Sequence, residues 1–156
     1  MKKIFLCLVT LIGISQLSAQ SVKNTFGIGF QSSFPIYGLS AKYAISEQSV
    51  VQATIAPFGS GDFKINFYGG RYIHRFKSDE ALNPYLFAGA GLITFSGYGA
   101  TASDNFVSYS AGGGVEYIVA GALGLSADLG YGKFGVSQGE GISGIFLGVG
   151  IHYYLK

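Results

Sequence analysis

The chain has 156 residues, 12% of them charged, 25 glycines, one cysteine and a formal net charge of +2. This length admits one domain, and the sparse, nearly balanced charge disfavours a nucleic-acid surface. Hydrophobic residues make up 49% of the chain, yet after residue 20 no apolar run reaches the ~18 residues of a membrane-crossing helix. The apolar surface must be spread over strands.

The first element is "MKKIFLCLVTLIGISQLSAQ". Lys2 and Lys3 precede an apolar run from Ile4 to Ile14, and Ser18-Ala19 forms a small-residue exit. This pattern predicts a cleavable secretory signal over residues 1–19, with the mature domain spanning 20–156. Removing the two lysines leaves eight basic against eight acidic residues. It also removes Cys7, so the exported chain has no thiol for a disulfide, a metal or catalysis.

Period-two alternation then recurs through the chain. In "TFGIGFQSSF", Phe26, Ile28, Phe30 and Phe34 alternate with Gly27, Gly29, Gln31 and Ser33. In "YGLSAKYAI", Tyr37, Leu39, Ala41 and Tyr43 alternate with Gly38, Ser40, Lys42 and Ala44. "VVQATIAP" sets Val51, Ala53 and Ile55 against Gln52 and Thr54. "FKINFYGGRYIHRF" has Ile65 and Phe67 on one face and Tyr72 and Phe76 on the other; Gly69-Gly70 is a candidate bulge that would switch faces. "PYLFAGAGLITFSG" sets Leu86, Ala88, Ala90 and Leu92 against Tyr85, Phe87, Gly89 and Gly91. "FVSYSAGGGVEYIV" and "LGLSADLGYGKFG" continue the scheme, with Glu116 and Asp128 among the small residues. "FLGVGIHYYLK" alternates to the last residue but one. About eight strands are expected, joined by short turn-like links.

One face of these strands is apolar, and the other is glycine, serine, glutamine and threonine with few charges. A soluble sandwich would carry lysine, glutamate and aspartate on its solvent face. The pattern therefore predicts a crowded small-residue interior and an apolar exterior facing lipid. Only a closed barrel allows this, because every backbone group in a bilayer must find a partner. The expected fold is all-β: a single closed antiparallel up-and-down transmembrane barrel. Aromatic girdles at both interfaces fit such a barrel. Tyr43, Tyr72, Phe76, Tyr85, Tyr117 and Tyr153 are expected at one rim, and Tyr37, Phe58, Phe95, Tyr98, Phe106 and Tyr131 at the other.

"GGRYIHRF" followed by a turn and "NPYLFAGAGL", and the hairpin "GGGVEYIV…LGLSADLGYG", resemble the small outer-membrane β-barrels of the OmpA/OmpX-like group. The resemblance covers residues 22–156 and implies an architecture more than an activity. It implies residence in the outer membrane of a diderm bacterium, outer-membrane lipid as surroundings, and periplasmic chaperones and the barrel-insertion machinery as assembly partners. It also implies that the terminal strand is an assembly signal: Gly150, Tyr153 and Leu155 are similar to the family's spacing of a glycine and two aromatic or apolar residues. The chain ends Leu155-Lys156, where the family usually ends on an aromatic.

Lys42, Glu116 and Asp128 fall on the small-residue face, joined by Arg71 and Arg75 if the strand switches at Gly69-Gly70. Buried charges must pair, so these five residues are the candidate interior polar network. With about eight strands the interior is just wide enough for side chains, which argues against an open pore.

Enzymatic motifs find no support in context. "GVSQG", with Glu140 and His152 following, matches the nucleophile elbow, but that motif needs a helix after the turn. "GEGISG" matches a dinucleotide fingerprint but opens a strand. His74 and His152 make an incomplete metal site without a further ligand. The expectation is a monomeric outer-membrane barrel with a structural or surface-interaction role, no catalysis, no cofactor and no metal. The alternatives are a narrow porin-like channel or small-solute binder, then a lipid-modifying barrel enzyme, and last a soluble lipocalin-type barrel.

Overall fold

The computed structural model describes residues 25–34, 36–60, 63–77, 81–96, 104–135 and 141–155. The expected signal segment, Tyr98 and Ser137 lie outside the described residues. Eight strands form in chain order: β1 (Phe26–Ser33), β2 (Ile36–Ala44), β3 (Ser49–Ser60), β4 (Phe63–Arg75), β5 (Leu82–Ser96), β6 (Asp104–Val119), β7 (Leu123–Phe134) and β8 (Ile142–Leu155). Each pairs antiparallel with its neighbours, and β1 pairs with β8, so the sheet closes into a barrel.

Closure follows from the alternation. Phe26, Ile28 and Phe30 stay exposed while Gln31 and Ser33 are buried. On β8, Leu147, Val149, Ile151, Tyr153 and Leu155 are exposed, and His152 and Tyr154 are buried. Large apolar side chains face out and polar ones face in, the reverse of a soluble barrel.

The candidate bulge at Gly69-Gly70 does not form. The β3–β4 register runs without interruption from Ser49↔His74 to Ser60↔Phe63, and β4–β5 from Lys64↔Ser96 to Arg75↔Tyr85. One pleat serves the whole strand. Arg71, Ile73 and Arg75 are buried, Tyr72 is exposed, and Phe67 shares the inner face with the arginines by alternation. The apparent switch arose because the interior is not uniformly polar: large apolar side chains also fill it.

The aromatic rims need a second correction. Tyr85 is 3% exposed and points inward. Phe95 and Phe106 alternate onto the inner face and meet each other edge-on at 5.4 Å. Phe34, expected on the outer face, lies in the turn after β1, where the strand's alternation has ended. Its ring packs against Phe134 at 6.1 Å and Phe146 at 5.9 Å. These contacts belong to one chain of rings inside the loop end: Phe87 meets Phe146 at 6.2 Å, and Phe106 stacks on Phe134 at 5.9 Å. Deeper in, Phe87 joins Ala44, Val50, Ile73 and Tyr85 in a buried apolar cluster.

The barrel wall is uneven. β1 and β2 have 8 and 9 residues, whereas β5 and β6 have 15 and 16. The β1–β2 hairpin turns tightly between Ser33 and Ile36. Above it, Gly38 holds φ +111°, and a Cβ there would strike the backbone of Ile55 and the side chain of Ala56. Only glycine fits a position that is both left-handed and this close to its neighbour.

Candidate functional site

The barrel interior is occupied by a network to which every strand contributes. Alternation aims each contributor inward, and β6 supplies its centre, Glu116. Glu116 Oε1 accepts from Lys42 Nζ on β2 and from the Tyr154 hydroxyl on β8, both at 2.8 Å. Its Oε2 accepts from Arg75 Nη2 on β4 at 2.6 Å. Arg75 Nη2 also donates to the Tyr154 hydroxyl oxygen at 2.8 Å.

Asp128 on β7 anchors the second half. Its Oδ2 accepts from Arg71 Nη1 at 2.6 Å and from Gln31 Nε2 on β1 at 3.0 Å. Its Oδ1 accepts from the Tyr85 hydroxyl on β5. Arg71 Nε donates to Gln52 Oε1 on β3 at 2.5 Å, and Gln52 Nε2 donates to Ser40 Oγ at 2.6 Å. Ser40 Oγ also lies 2.8 Å from His152 Nε2.

Lys42, Arg71, Arg75, Glu116 and Asp128 are thus brought together, each at most 4% exposed. Arg71 and Arg75 reach the interior through the regular pleat of β4, without the bulge. Charges this deep are tolerated only when paired and hydrogen-bonded, and three cations meet two carboxylates. The guanidiniums also lie over aromatic faces, Arg71 over Phe87 at 4.8 Å and Arg75 over Tyr154 at 5.7 Å, which adds cation–π attraction.

Gln31, Gln52, Tyr85, His152 and Tyr154 are members that sequence reasoning missed. Gln31, Gln52, His152 and Tyr154 carried a signal, since they alternate onto the small-residue face. Tyr85 also alternates with outward residues, but its ring resembled a girdle aromatic. The two histidines do not meet. His152 is buried inside, while His74 projects from the other side of the β4 pleat against Phe76, with ring centroids 5.6 Å apart. Among the described residues, no group of three histidine, cysteine or acidic side chains is placed to hold a metal. Ile142 to Gly144, the end of the dinucleotide-like motif, begin strand β8 and not a helix.

The terminal triplet lies on the closing seam. Leu155 pairs with Phe26, Tyr153 with Ile28 and Gly150 with Gln31. Tyr153 and Leu155 face outward, 55% and 47% exposed. A Cβ at Gly150 would collide with Gln31 Oε1 on one side and Ser126 Oγ, 2.6 Å away, on the other. The strand's small residue is where the network crosses the seam.

No protein-family model matches the sequence, and no curated protein matches it. Solved structures do. The N-terminal β-barrel domain of Pseudomonas aeruginosa OprF superposes with a TM-score of 0.59 at 16% identity, covering 85% of this chain and 98% of that one. Neisserial surface protein A, NspA, gives a TM-score of 0.57 at 20% identity, covering 83% and 92%. With its closed ring of eight antiparallel strands, apolar outside and polar within, the chain has the fold of the small eight-stranded outer-membrane barrels.

Proposed function

We propose that the protein is an integral outer-membrane barrel with a structural or surface-interaction role, exported by its N-terminal signal and acting as a monomer without catalysis. The observation that carries this is the inversion of the usual pattern. Ile28, Leu39, Leu129 and Val149 are more than half exposed, while Lys42, Arg71, Arg75, Glu116 and Asp128 are buried. That distribution is stable in a bilayer and costly in water. The interior network leaves the barrel filled with side chains, which favours a scaffold over a conduit. One structural neighbour is a surface protein by name, in keeping with a role at the cell surface. Assembly then calls on periplasmic chaperones and the barrel-insertion machinery.

The test is cysteine labelling, which starts from a clean background because Cys7 is the only cysteine. Ala127 faces out and Ser126 faces in. Ala127→Cys in isolated outer membranes is expected to resist a water-soluble maleimide and to react after denaturation. Rapid labelling of folded Ala127→Cys would remove the lipid-facing assignment. The purified barrel in planar bilayers is expected to give no discrete conductance steps; regular steps would transfer the assignment to a narrow channel.

A closed ladder satisfies its backbone internally. Unboiled protein in SDS is therefore expected to migrate apart from the boiled form, and identical mobility of membrane-extracted material would contradict a closed barrel.

A further inference from the structure

The uneven wall leaves a notch. β8 pairs with β7 from its outer end, Phe134↔Ile142, down to Leu123↔Tyr153. Its pairing with β1 stops at Ser32↔Val149. On the far side, β3 pairs with β4 up to Ser60, but its pairing with β2 stops at Leu39↔Ile55. Between the upper part of β8 and the upper part of β3, the wall is only as high as the short β1–β2 hairpin.

A cavity of about 310 Å³ opens there, at the lower end of the ~300–1,000 Å³ typical of ligand pockets. Phe34 and Tyr37 of the hairpin form one side, and Ile142, Ile145 and Phe146 of β8 the other. Among the described residues, a Cβ placed on Gly144 would meet nothing within 4 Å. The cavity runs inward to the phenylalanine chain, since Phe146 and Phe34 both line it and touch each other.

Its height decides what faces it. Tyr153 stands at the inner end of β8, and Tyr131, 58% exposed, pairs with Ile145. A tilted strand crosses the bilayer in ~9–11 residues. Counted from Tyr153, this brings the outer boundary of the apolar band to the level of Ile145 and Ser143. The longest sequence separations between consecutive strands, from Ser96 to Asp104 and from Phe134 to Ile142, fall at this end, which marks it as the extracellular side. The notch therefore opens onto the outer leaflet. Ile145 and Leu147 beside it, on the outward face of β8, are 79% and 80% exposed, continuous with the apolar outer wall.

We infer that the notch is a lateral binding site for one acyl chain of an outer-leaflet lipid, which enters between the β8 edge and the β1–β2 hairpin and packs on Phe34 and Phe146. Methylene groups match the aromatic and aliphatic lining. The lipid head group, held at the interface, meets the edge of β8 beyond Val149, whose backbone donors and acceptors have no neighbouring strand there among the described residues. The inference rests on the outer-membrane assignment proposed above.

The chain has no tryptophan, so a single one reports its own surroundings. Phe146→Trp, Phe87→Trp and Leu125→Trp barrels would each be placed in phosphatidylcholine vesicles with acyl chains brominated near mid-chain, which quench tryptophan on contact. Leu125 faces lipid, and Phe87 is buried behind paired strands on both sides. Phe146→Trp is expected to lose as much fluorescence as Leu125→Trp, while Phe87→Trp keeps its intensity. Adding Gly144→Leu, which fills the open space, is expected to protect Phe146→Trp. If Phe146→Trp is quenched no more than Phe87→Trp, the site does not exist. Quenching by aqueous iodide alone would mean a water-filled mouth and also overturn it. Quenching that falls as protein is concentrated, with cross-linked pairs, would mean that a second copy covers the edge instead. If Leu125→Trp itself escapes bromine, the outer-membrane assignment fails, not the notch. Should Phe146→Trp not fold, as judged by its gel shift, Phe34→Trp samples the opposite wall of the same cavity with the same readings.

Discussion

Glu116→Gln is expected to destabilise the barrel by about 3–5 kcal/mol, the usual cost of breaking a buried ion pair by removing one partner. The substitution keeps the shape of the side chain and removes only its charge. Lys42 and Arg75 both rely on that carboxylate, and neither can reach water without opening the wall, being 1% and 3% exposed. Three cations would then face Asp128 alone. Lys42→Met is expected to cost much less, because it leaves Arg75 with Glu116 and Arg71 with Asp128, two matched pairs. The measurement is the urea midpoint for unfolding from detergent micelles or thin bilayers. Equal losses in the two variants would contradict the special cost of leaving Lys42 and Arg75 without their shared carboxylate, and a Glu116→Gln barrel as stable as the parent would show that the network carries little of the fold's stability.

The second large effect concerns the seam. Tyr153→Asp combined with Leu155→Asp is expected to abolish accumulation in the outer membrane. Both side chains face outward at the inner end of β8, and their partners Ile28 and Phe26 are apolar and exposed as well. Two carboxylates would enter the apolar or interfacial band and weaken the one pairing that closes the ring. The same two charges at Ile142 and Ser143, at the outer end of the same strand and beyond β1's reach, are expected to leave insertion intact. Quantifying membrane-embedded against degraded protein checks both. Normal insertion of the Tyr153/Leu155 variant would remove the assembly role of the terminal triplet; failure of the Ile142/Ser143 variant would mean that charge anywhere on β8 is at fault.

Alternation carried most of the fold into the sequence because the wall is one residue thick and every strand has two unlike faces. β1, β2, β7 and β8 could be assigned facing from glycine, serine and glutamine alone. β4 could not, since Ile65, Phe67 and Ile73 occupy the inner face beside two arginines, and apolar character no longer marks the outside. Tyr85 was obscured for a related reason. A tyrosine suits an interfacial girdle and a buried hydroxyl equally, and only the position of Asp128 across the lumen separates the two. Strand height left a fainter trace. Proline avoids strands flanked on both sides, and Pro57 falls where β3 has lost β2. The notch was in that sense written at residue 57, but it gains meaning only once the shortness of β1 is known.

Seven of the eight pairings join strands that follow one another in the chain. The eighth joins the first strand to the last, Phe26 to Leu155, and so has the greatest contact separation available to this fold. Loop-closure entropy grows only slowly with length, about 0.6 kcal/mol per doubling, so distance adds little to the equilibrium cost. Time is the larger consequence. β8 follows the other seven barrel strands in the chain, and no ring can form before it exists. Every earlier intermediate has two bare strand edges and a hydrophobic exterior, the state most prone to aggregate. On the proposed assembly route the polypeptide is expected to need shielding for the whole interval between synthesis and closure, and a truncation that removes β8 is expected to leave no partially functional product.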